Sequence, residues 1–551
     1  MSWRFNQGFE NVELFGMSLL LFQTCARFAR RLSLSDEVKA KVREVFAMDL
    51  RALALFRACL GVLVAVDVCL RLGDLNALYT DQGFMLAETR RTDQYLMHNQ
   101  ISIHRANSSA LYQFSLFALQ FVAALALAIG YRTRAATVVS FFLLASLHTY
   151  VPVPLNGGDD VMRVFLLWSM FLPLGRRWSV DAALRGVRDA ELAAHDPVYA
   201  QLLEKRARRP WQPSDDSVCG LATVAFKIQL LLLYVFAAAL KTGDSWANGD
   251  AVHYSLYLSP YITELAVYIR DRELLCRVLT HATMWLEVCG PLLYFSPFAT
   301  AVCAMLAAAM FIGLHLSFLL ILRVGLFSCA CASVHLAFLP GELFDFVTSV
   351  TSTELERRAK VVYDVSSSHA ALTVRLLQQF CFADGVEVRS ALTHDQVSSS
   401  RLSSAHPVAH FPGFSEHLLP ALSESELRRR DIPVAILEAS GRGVQYPGDA
   451  NRWRLLAALT PLPRALQRAT GVVWRFLFDS LLWDEVVLAQ LRADVAAVPP
   501  RRLAATLRSR RRVLANVALS VLLFFALWSN LNGMFPRNDA LTQASDILRV
   551  N

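Results

Sequence analysis

Long apolar runs fill most of the first two thirds of the chain, separated by short basic or turn-forming segments. A helix that crosses a bilayer needs about 20 mostly apolar residues. Nine runs meet that measure, at 52–73, 110–130, 134–154, 158–175, 221–241, 277–297, 299–322, 324–345 and 513–534. The fourth is short, and the eighth follows the seventh directly through Arg323. Residues 10–33 read differently. Apolar Leu19–Phe22 precede Arg27, Arg30 and Arg31, the pattern of an amphipathic helix lying in the membrane interface.

Between 346 and 512 the rhythm changes to shorter elements. Val361–Val365 and Val386–Leu392 read as strands on either side of a helix at His369–Ala383, with Leu372, Arg375, Leu376 and Gln379 at helical spacing. The Ser-, His- and Pro-rich stretch 396–414 reads as a loop. A helix at Ser423–Arg430 and a strand at Pro433–Leu437, ended by Gly441, complete a small α/β layer fold. The expected architecture is mainly α, a multi-pass helix bundle joined to a small α/β soluble domain. Its parts are an N-terminal segment 1–47, a membrane domain 48–345, a soluble domain 346–500, and a basic stretch with a last span at 501–551.

Composition agrees. Charged residues are 18% of the 551 and hydrophobic residues 55%, with a mean hydropathy of +0.37. A soluble domain carries about 25% charged residues. That disfavours a plain soluble enzyme and a disordered chain. The net charge of +8 is better explained by basic loops beside membrane spans than by nucleic-acid binding. The loop from Arg176 to Arg209 holds eight basic residues, Tyr131–Arg134 holds Arg132 and Arg134, and Arg508, Arg510, Arg511 and Arg512 precede the last span. Val153–Asp160 has none. Positive-inside logic then puts the N-terminus and residues 346–512 in the cytoplasm, with 242–276 opposite. Of the ten cysteines, most sit in apolar runs and none forms CxxC, so they read as small buried hydrophobes. No cleavable signal peptide is evident.

Ionisable groups within spans suggest functional sites. The first span carries Arg57 and Asp67, ten residues apart and unable to pair directly, with Arg71 and Asp74 near its end. Each is expected to pair with a neighbouring helix or to reach an interface. Asn156-Gly-Gly-Asp-Asp160 frees a tight turn at a span mouth, and Asp160 lies one helical step from Arg163. Capping with ion pairing, or a polar site wall, are both open there; two carboxylates and an amide are too few to claim a metal. Lys241 ends the apolar run from Leu230 and precedes Trp246. It reads either as an interfacial lysine beside a belt tryptophan, or as an amine that burial leaves neutral and able to act as a base. His315 lies well inside its span, with Arg323 and His335 following.

Met48-Asp-Leu-Arg-Ala-Leu-Ala-Leu-Phe-Arg57, Tyr79-Thr-Asp-Gln-Gly83, Gly130-Tyr-Arg-Thr-Arg134, Asn156-Gly-Gly-Asp-Asp160 and Phe171-Leu-Pro-Leu-Gly175 resemble, in order and spacing, the horizontally transferred transmembrane (HTTM) domain. That module is shared with vitamin K-dependent gamma-carboxylase. The resemblance continues through Ala238-Ala-Leu-Lys241, Trp246, His315 and Val324-Gly-Leu-Phe327. It implies that Lys241 is the base that deprotonates a vitamin K-type quinol and that His315 is its functional partner. It further implies chemistry that couples quinol oxygenation to removal of a glutamate γ-proton and addition of CO2. Where the carboxylase branch has a further catalytic histidine, this chain has Gly158–Asp159, and the propeptide-holding region is replaced by the insert at 346–512. The insert itself resembles the DCC family of thioredoxin-like proteins. Tyr363-Asp364 match its start, while Ser367 and Ala370 stand at its two cysteine positions, which excludes dithiol exchange there.

Three functions follow as expectations. The first is a membrane protein acting on a lipid-soluble quinol or membrane-presented substrate, with Lys241 and His315 catalytic and Asn156, Asp159, Asp160, Arg163 and Trp246 lining the site. The second is a non-catalytic scaffold or carrier whose soluble domain docks cytoplasmic partners. The third is an active gamma-glutamyl carboxylase.

Overall fold

A computed structural model describes residues 35–83, 102–151, 154–207, 216–351, 360–364, 368–380, 387–391, 434–437, 444–445 and 485–497. The interfacial helix expected at 10–33, the last span at 513–534, the loop at 396–414 and the helix at 423–430 lie outside them. Helix α1 (Asp36–Phe46) opens on Ser35, whose hydroxyl accepts the Val38 N–H at 3.3 Å. A two-residue strand β1 (Met48–Asp49) pairs antiparallel with β2 (Ser217–Val218). The helices that follow are α2 (Leu50–Leu72), α3 (Ala110–Ile129), α4 (Thr133–Tyr150), α5 (Gly157–Ser169), α6 (Val180–His195), α7 (Pro197–Ala207) and α8 (Leu221–Ala239). Short helices α9 (Asp244–Ala247), α10 (Ala251–Ser255) and α11 (Glu264–Arg270) precede α12 (Glu273–Leu293), α13 (Thr300–Ile321), α14 (Phe327–Leu336) and α15 (Gly341–Thr351).

Helices α2, α3, α8 and α13 are each long and apolar enough to cross a membrane, and the α14–α15 pair makes a fifth if counted as one span. Helix α13 shows why lipid is the fitting solvent. Ala304, Ala307, Ala308, Phe311 and His315 form one buried stripe at helical spacing. Leu306, Met310, Leu316, Leu319 and Leu320 are exposed on the remaining surface. In water such a surface would be an aggregation liability.

The expected spans 134–154 and 277–297 form helices α4 and α12, which are not among those long and apolar enough to cross, and two others differ in their backbone. The run 158–175 forms only the 13 residues of α5, roughly 20 Å of helix against a core of about 30 Å. The helix stops before Pro173, which has no N–H to continue it. The run 324–345 is broken as well. Its halves α14 and α15 meet at 85°, with Pro340 in the break. The central core joins α2, α3, α5, α8, α13 and α14 through residues such as Phe56, Leu127, Phe165, Phe226, Phe311 and Val334. Gly61 lets α2 and α3 touch, since a Cβ there would lie 2.5 Å from the Ala128 backbone nitrogen.

One end of the bundle gathers many contacts. Leu50 N–H donates to the Asp216 carbonyl at 2.7 Å. The Arg51 guanidinium reaches Asp49 and, at 2.7 Å, Asp345. Lys227 Nζ donates to the Val45 carbonyl at 2.5 Å. Phe46 packs edge-on against Phe295. Asp181 N–H donates to the Gly130 carbonyl at 3.0 Å.

In the segment after α15, β3 (Lys360–Asp364), β4 (Glu387–Ala391), β5 (Val434–Leu437) and β6 (Val444–Gln445) form a sheet in the order β4-β3-β5-β6. The β3–β4 pair is parallel, and β3–β5 and β5–β6 are antiparallel. Helix α16 (Ser368–Phe380) joins β3 to β4, as the sequence pattern predicts. It packs on α6, and the Trp178 N–H donates to Gln379 Oε1 at 3.0 Å. Helix α17 (Glu485–Ala497) packs on α6 too. Its Asp494 accepts from Tyr131 Oη at 2.6 Å and Arg132 Nη2 at 2.7 Å.

Candidate functional site

Lys241 follows the last turn of α8. Its ammonium turns back along the helix, donating to the Ala237 carbonyl at 3.2 Å and to Glu287 Oε2 on α12. It also sits 5.4 Å from the centre of the Trp246 ring, a cation–π distance. Lys241 is 19% exposed and Glu287 7%, so this is a largely desolvated ion pair rather than an interfacial lysine reaching for water. Removing one partner of such a pair leaves an uncompensated charge. Glu287 is part of the site that the sequence reading missed. Its signal was a lone carboxylate inside an apolar run.

His315 belongs to a buried chain of hydrogen bonds across four helices. Tyr234 Oη on α8 lies 2.8 Å from His315 Nε2 and 2.7 Å from His335 Nε2. His335 Nδ1 lies 2.8 Å from Tyr294 Oη, just after α12. The ring of Phe311 stacks on His335 at 4.6 Å with planes 5° apart. All four polar side chains are at most 3% exposed. Helices α8 and α12, which carry Tyr234 and Glu287, pack against each other. No direct bond joins Lys241 to His315 among the described residues.

The turn Asn156–Asp159 resolves into a helix cap and an ion-pair network. Asn156 Oδ1 accepts from Gly158 N–H at 2.8 Å, and Asp159 Oδ2 accepts from Asn156 N–H at 2.7 Å, a reciprocal cap for α5. The other Asp159 oxygen accepts from Arg71 Nη2 at 2.5 Å, and Arg71 Nε donates to Asp67 at 2.8 Å. Asp67 thus pairs on its own helix, and its partner Arg71 reaches the neighbouring one. Among the described residues Arg57 bonds no carboxylate; it donates to the carbonyls of Ala128, Leu174, Arg177 and Trp178. Asp160 and Arg163 pair with each other on the exposed side of α5, and Arg163 Nη1 also lies 3.5 Å from His148 Nδ1, whose Nε2 is 3.6 Å from Asp159 Oδ1. Asp67, His148 and Asp159 offer ligand atoms within 4.8 Å of one another. The Arg71 guanidinium already bridges the two carboxylates, so the protein supplies the compensating charge.

The structure brings Asn156 and Gly158 towards His315. A Cβ on Gly158 would lie 2.7 Å from the Phe327 Cα, and the Phe327 ring packs edge-on against His315 at 5.9 Å. Glycine is required for that approach. Lys241 and Trp246 form the adjoining cluster. No known protein family, curated protein or solved structure matches the chain.

Proposed function

We propose that the chain is a multi-pass membrane protein with a carboxylase-related core that acts on a lipid-soluble quinol, with Lys241 as base and Glu287 as its proton partner. The observation that carries this reading is the desolvated Lys241–Glu287 pair beneath Trp246. An ammonium cannot accept a proton. Transfer of one proton from Lys241 Nζ to the Glu287 carboxylate turns the ion pair into an amine and a neutral acid, without moving net charge. The amine then removes the hydroxyl proton of the quinol, and the regenerated ammonium stays beside the oxyanion. The HTTM-like motifs support the quinol class; the chain holds these groups at the ends of α8 and within α12.

Four hairpins fit this reading, α2–α3, α4–α5, α8–α12 and α13–α14, of which α2, α3, α8 and α13 are long and apolar enough to cross and α5 and α14 reach only part of the way. The sheet order, with one parallel and two antiparallel pairs, supports a thioredoxin-like insert that lacks dithiol chemistry at Ser367 and Ala370. The insert and the basic loop 176–209 share the cytoplasmic side.

The deciding experiment measures quinol epoxidation and CO2 incorporation by the purified chain in lipid nanodiscs. Lys241→Ala abolishes quinol turnover, and Glu287→Gln lowers it by roughly 100-fold, the scale of general acid–base assistance. Full turnover in Lys241→Ala sinks the assignment. CO2 incorporation into glutamate separates a true carboxylase from a quinol oxygenase. The docking of α16 and α17 on α6 favours one second reading, a scaffold whose insert engages cytoplasmic partners. It predicts no turnover in any variant, and loss of partners on deletion of 346–512.

A further inference from the structure

In the connection between α8 and α12, residues 251–263 contain no Asp, Glu, Lys or Arg. A water-facing stretch of that length holds about three at the usual charge content. Its inner side is well fastened. Leu256 packs with Ala266 and Cys276, and against Ile321 and Leu322 at the end of α13. Val252 N–H donates to Thr280 Oγ1 at 3.1 Å, Thr263 N–H to the Ile321 carbonyl at 3.0 Å, and Arg323 N–H to the Tyr261 carbonyl at 2.7 Å. Its outer side is apolar and open. Tyr254, Tyr257, Leu258 and Tyr261 are each 55–60% exposed. The rings are held in place: His253 meets Tyr254 and Tyr257 edge-on, and the Arg270 guanidinium lies 5.1 Å from the centre of the Tyr257 ring.

The neighbouring helix says what covers this patch. Thr263 Oγ1 donates to the Leu320 carbonyl at 2.8 Å, so the patch adjoins the exposed flank of α13 formed by Leu316, Leu319 and Leu320, the surface that lipid solvates. A tyrosine carries an apolar ring and a polar hydroxyl, which suits the level where acyl chains meet headgroups. Arg323, exposed at the end of that flank, is a cation of the kind that reaches headgroups from a span end. We propose that residues 254–261 lie in the phospholipid headgroup layer, an interfacial anchor whose three tyrosines and Leu258 are covered by lipid. The anchor ends at α11. Glu264 and Tyr268, four apart on that helix, share a face, and Asp271, Arg272 and Glu273 follow, which returns the chain to water. The anchor requires α13 to cross the membrane and depends on no catalytic assignment.

The test uses the full-length chain in phosphatidylcholine nanodiscs, with native cysteines replaced by serine and one nitroxide label at a time on Tyr254→Cys, Tyr257→Cys, Tyr261→Cys, Tyr268→Cys or Leu316→Cys. Oxygen, which partitions into lipid, and a water-soluble nickel chelate each relax a label that they reach. The labels at 254, 257 and 261 should favour oxygen and read a depth of about 5–10 Å. The label at 268 should favour nickel, and the one at 316 reports the crossing of α13. Nickel-favoured labels at 257 and 261 overturn the proposal. Shielding from both reagents overturns it as well, because a protein rather than lipid then covers the patch. A nickel-favoured label at 316 removes the membrane reading, and the anchor with it. If the cysteine-free chain does not fold, fluorotyrosine in the native sequence makes the same comparison. The fluorine signals lost in Tyr257→Phe and Tyr261→Phe should broaden with a headgroup-nitroxide lipid, and the signal lost in Tyr268→Phe should broaden less. Absence of broadening at 257 and 261 overturns the proposal.

Discussion

His104 sits in the short turn Ile103–Arg105 ahead of α3. Its Nδ1 lies 2.8 Å from Ser146 Oγ, its ring stacks on Tyr150, and its carbonyl accepts from Gln113 Nε2 at 2.7 Å. Burial pushes its pKa down to about 4 from 6.5. The folded state therefore resists a proton that the unfolded chain takes up. The stability this contributes is complete above the unfolded pKa and is lost as pH falls from about 6.5 to about 4. The shift corresponds to roughly 3 kcal/mol. Thermal unfolding followed from pH 7 to pH 4 should show a steeper loss in the parent than in His104→Gln; equal slopes would remove His104 from the account. At this scale the sequence placed His315 well inside its span, where the structure buries it, and left Lys241 and the Asp159 turn open between two readings. It missed Glu287 and Tyr234, because a single carboxylate or tyrosine in an apolar run carries no sign of which distant helix it will meet.

The apolar runs located α2, α3, α8 and α13 within a few residues, since hydropathy and helix length agree there. They failed at α5 and at α14–α15. A hydropathy average does not register where the backbone turns, although Pro173 and Pro340 were present as signals. The insert's alternation placed β3, β4, β5 and α16 closely, yet it carried no information on docking. That docking depends on Asp494, whose carboxyl burial alone would raise. The hydrogen bonds from Arg132 and Tyr131 outweigh burial and hold it below its ordinary 3.8. A depressed carboxylate contributes above its unfolded pKa and loses that contribution as pH falls through the lower folded value. The α17 contact should therefore persist at pH 5 and release only below about pH 4. Asp494→Asn should loosen α17 at every pH. The Arg132 side is exposed and screened by solvent, so the change shows best as faster proteolysis of the 485–497 segment rather than as a lower melting temperature. Equal proteolysis rates would place the docking elsewhere on α6.

For the whole molecule, the contacts at one end of the bundle decide more than any single span. Residues 45–51, 130–133, 174–181, 216–218 and 341–345 meet one another there, and Phe295 joins them. The chain leaves this end and returns to it between each consecutive pair of these segments, so they all lie on one side whatever the tilt of individual helices. The isolated bridge between Ile262 and Leu322 ties the α8–α12 connection to the far end of α13, which places 242–272 on the other side. Under the proposed orientation, the basic loops put the first end in the cytoplasm. In a background with native cysteines replaced by serine, Lys39→Cys and Asp345→Cys should therefore react with a membrane-impermeant maleimide only after the cytoplasmic face is opened. Tyr268→Cys, at a position 77% exposed, should react in intact cells. Labelling of Tyr268→Cys and Asp345→Cys from the same face would break the four-hairpin arrangement. The reverse pattern, with Asp345→Cys reactive in intact cells, would keep the hairpins and invert the orientation.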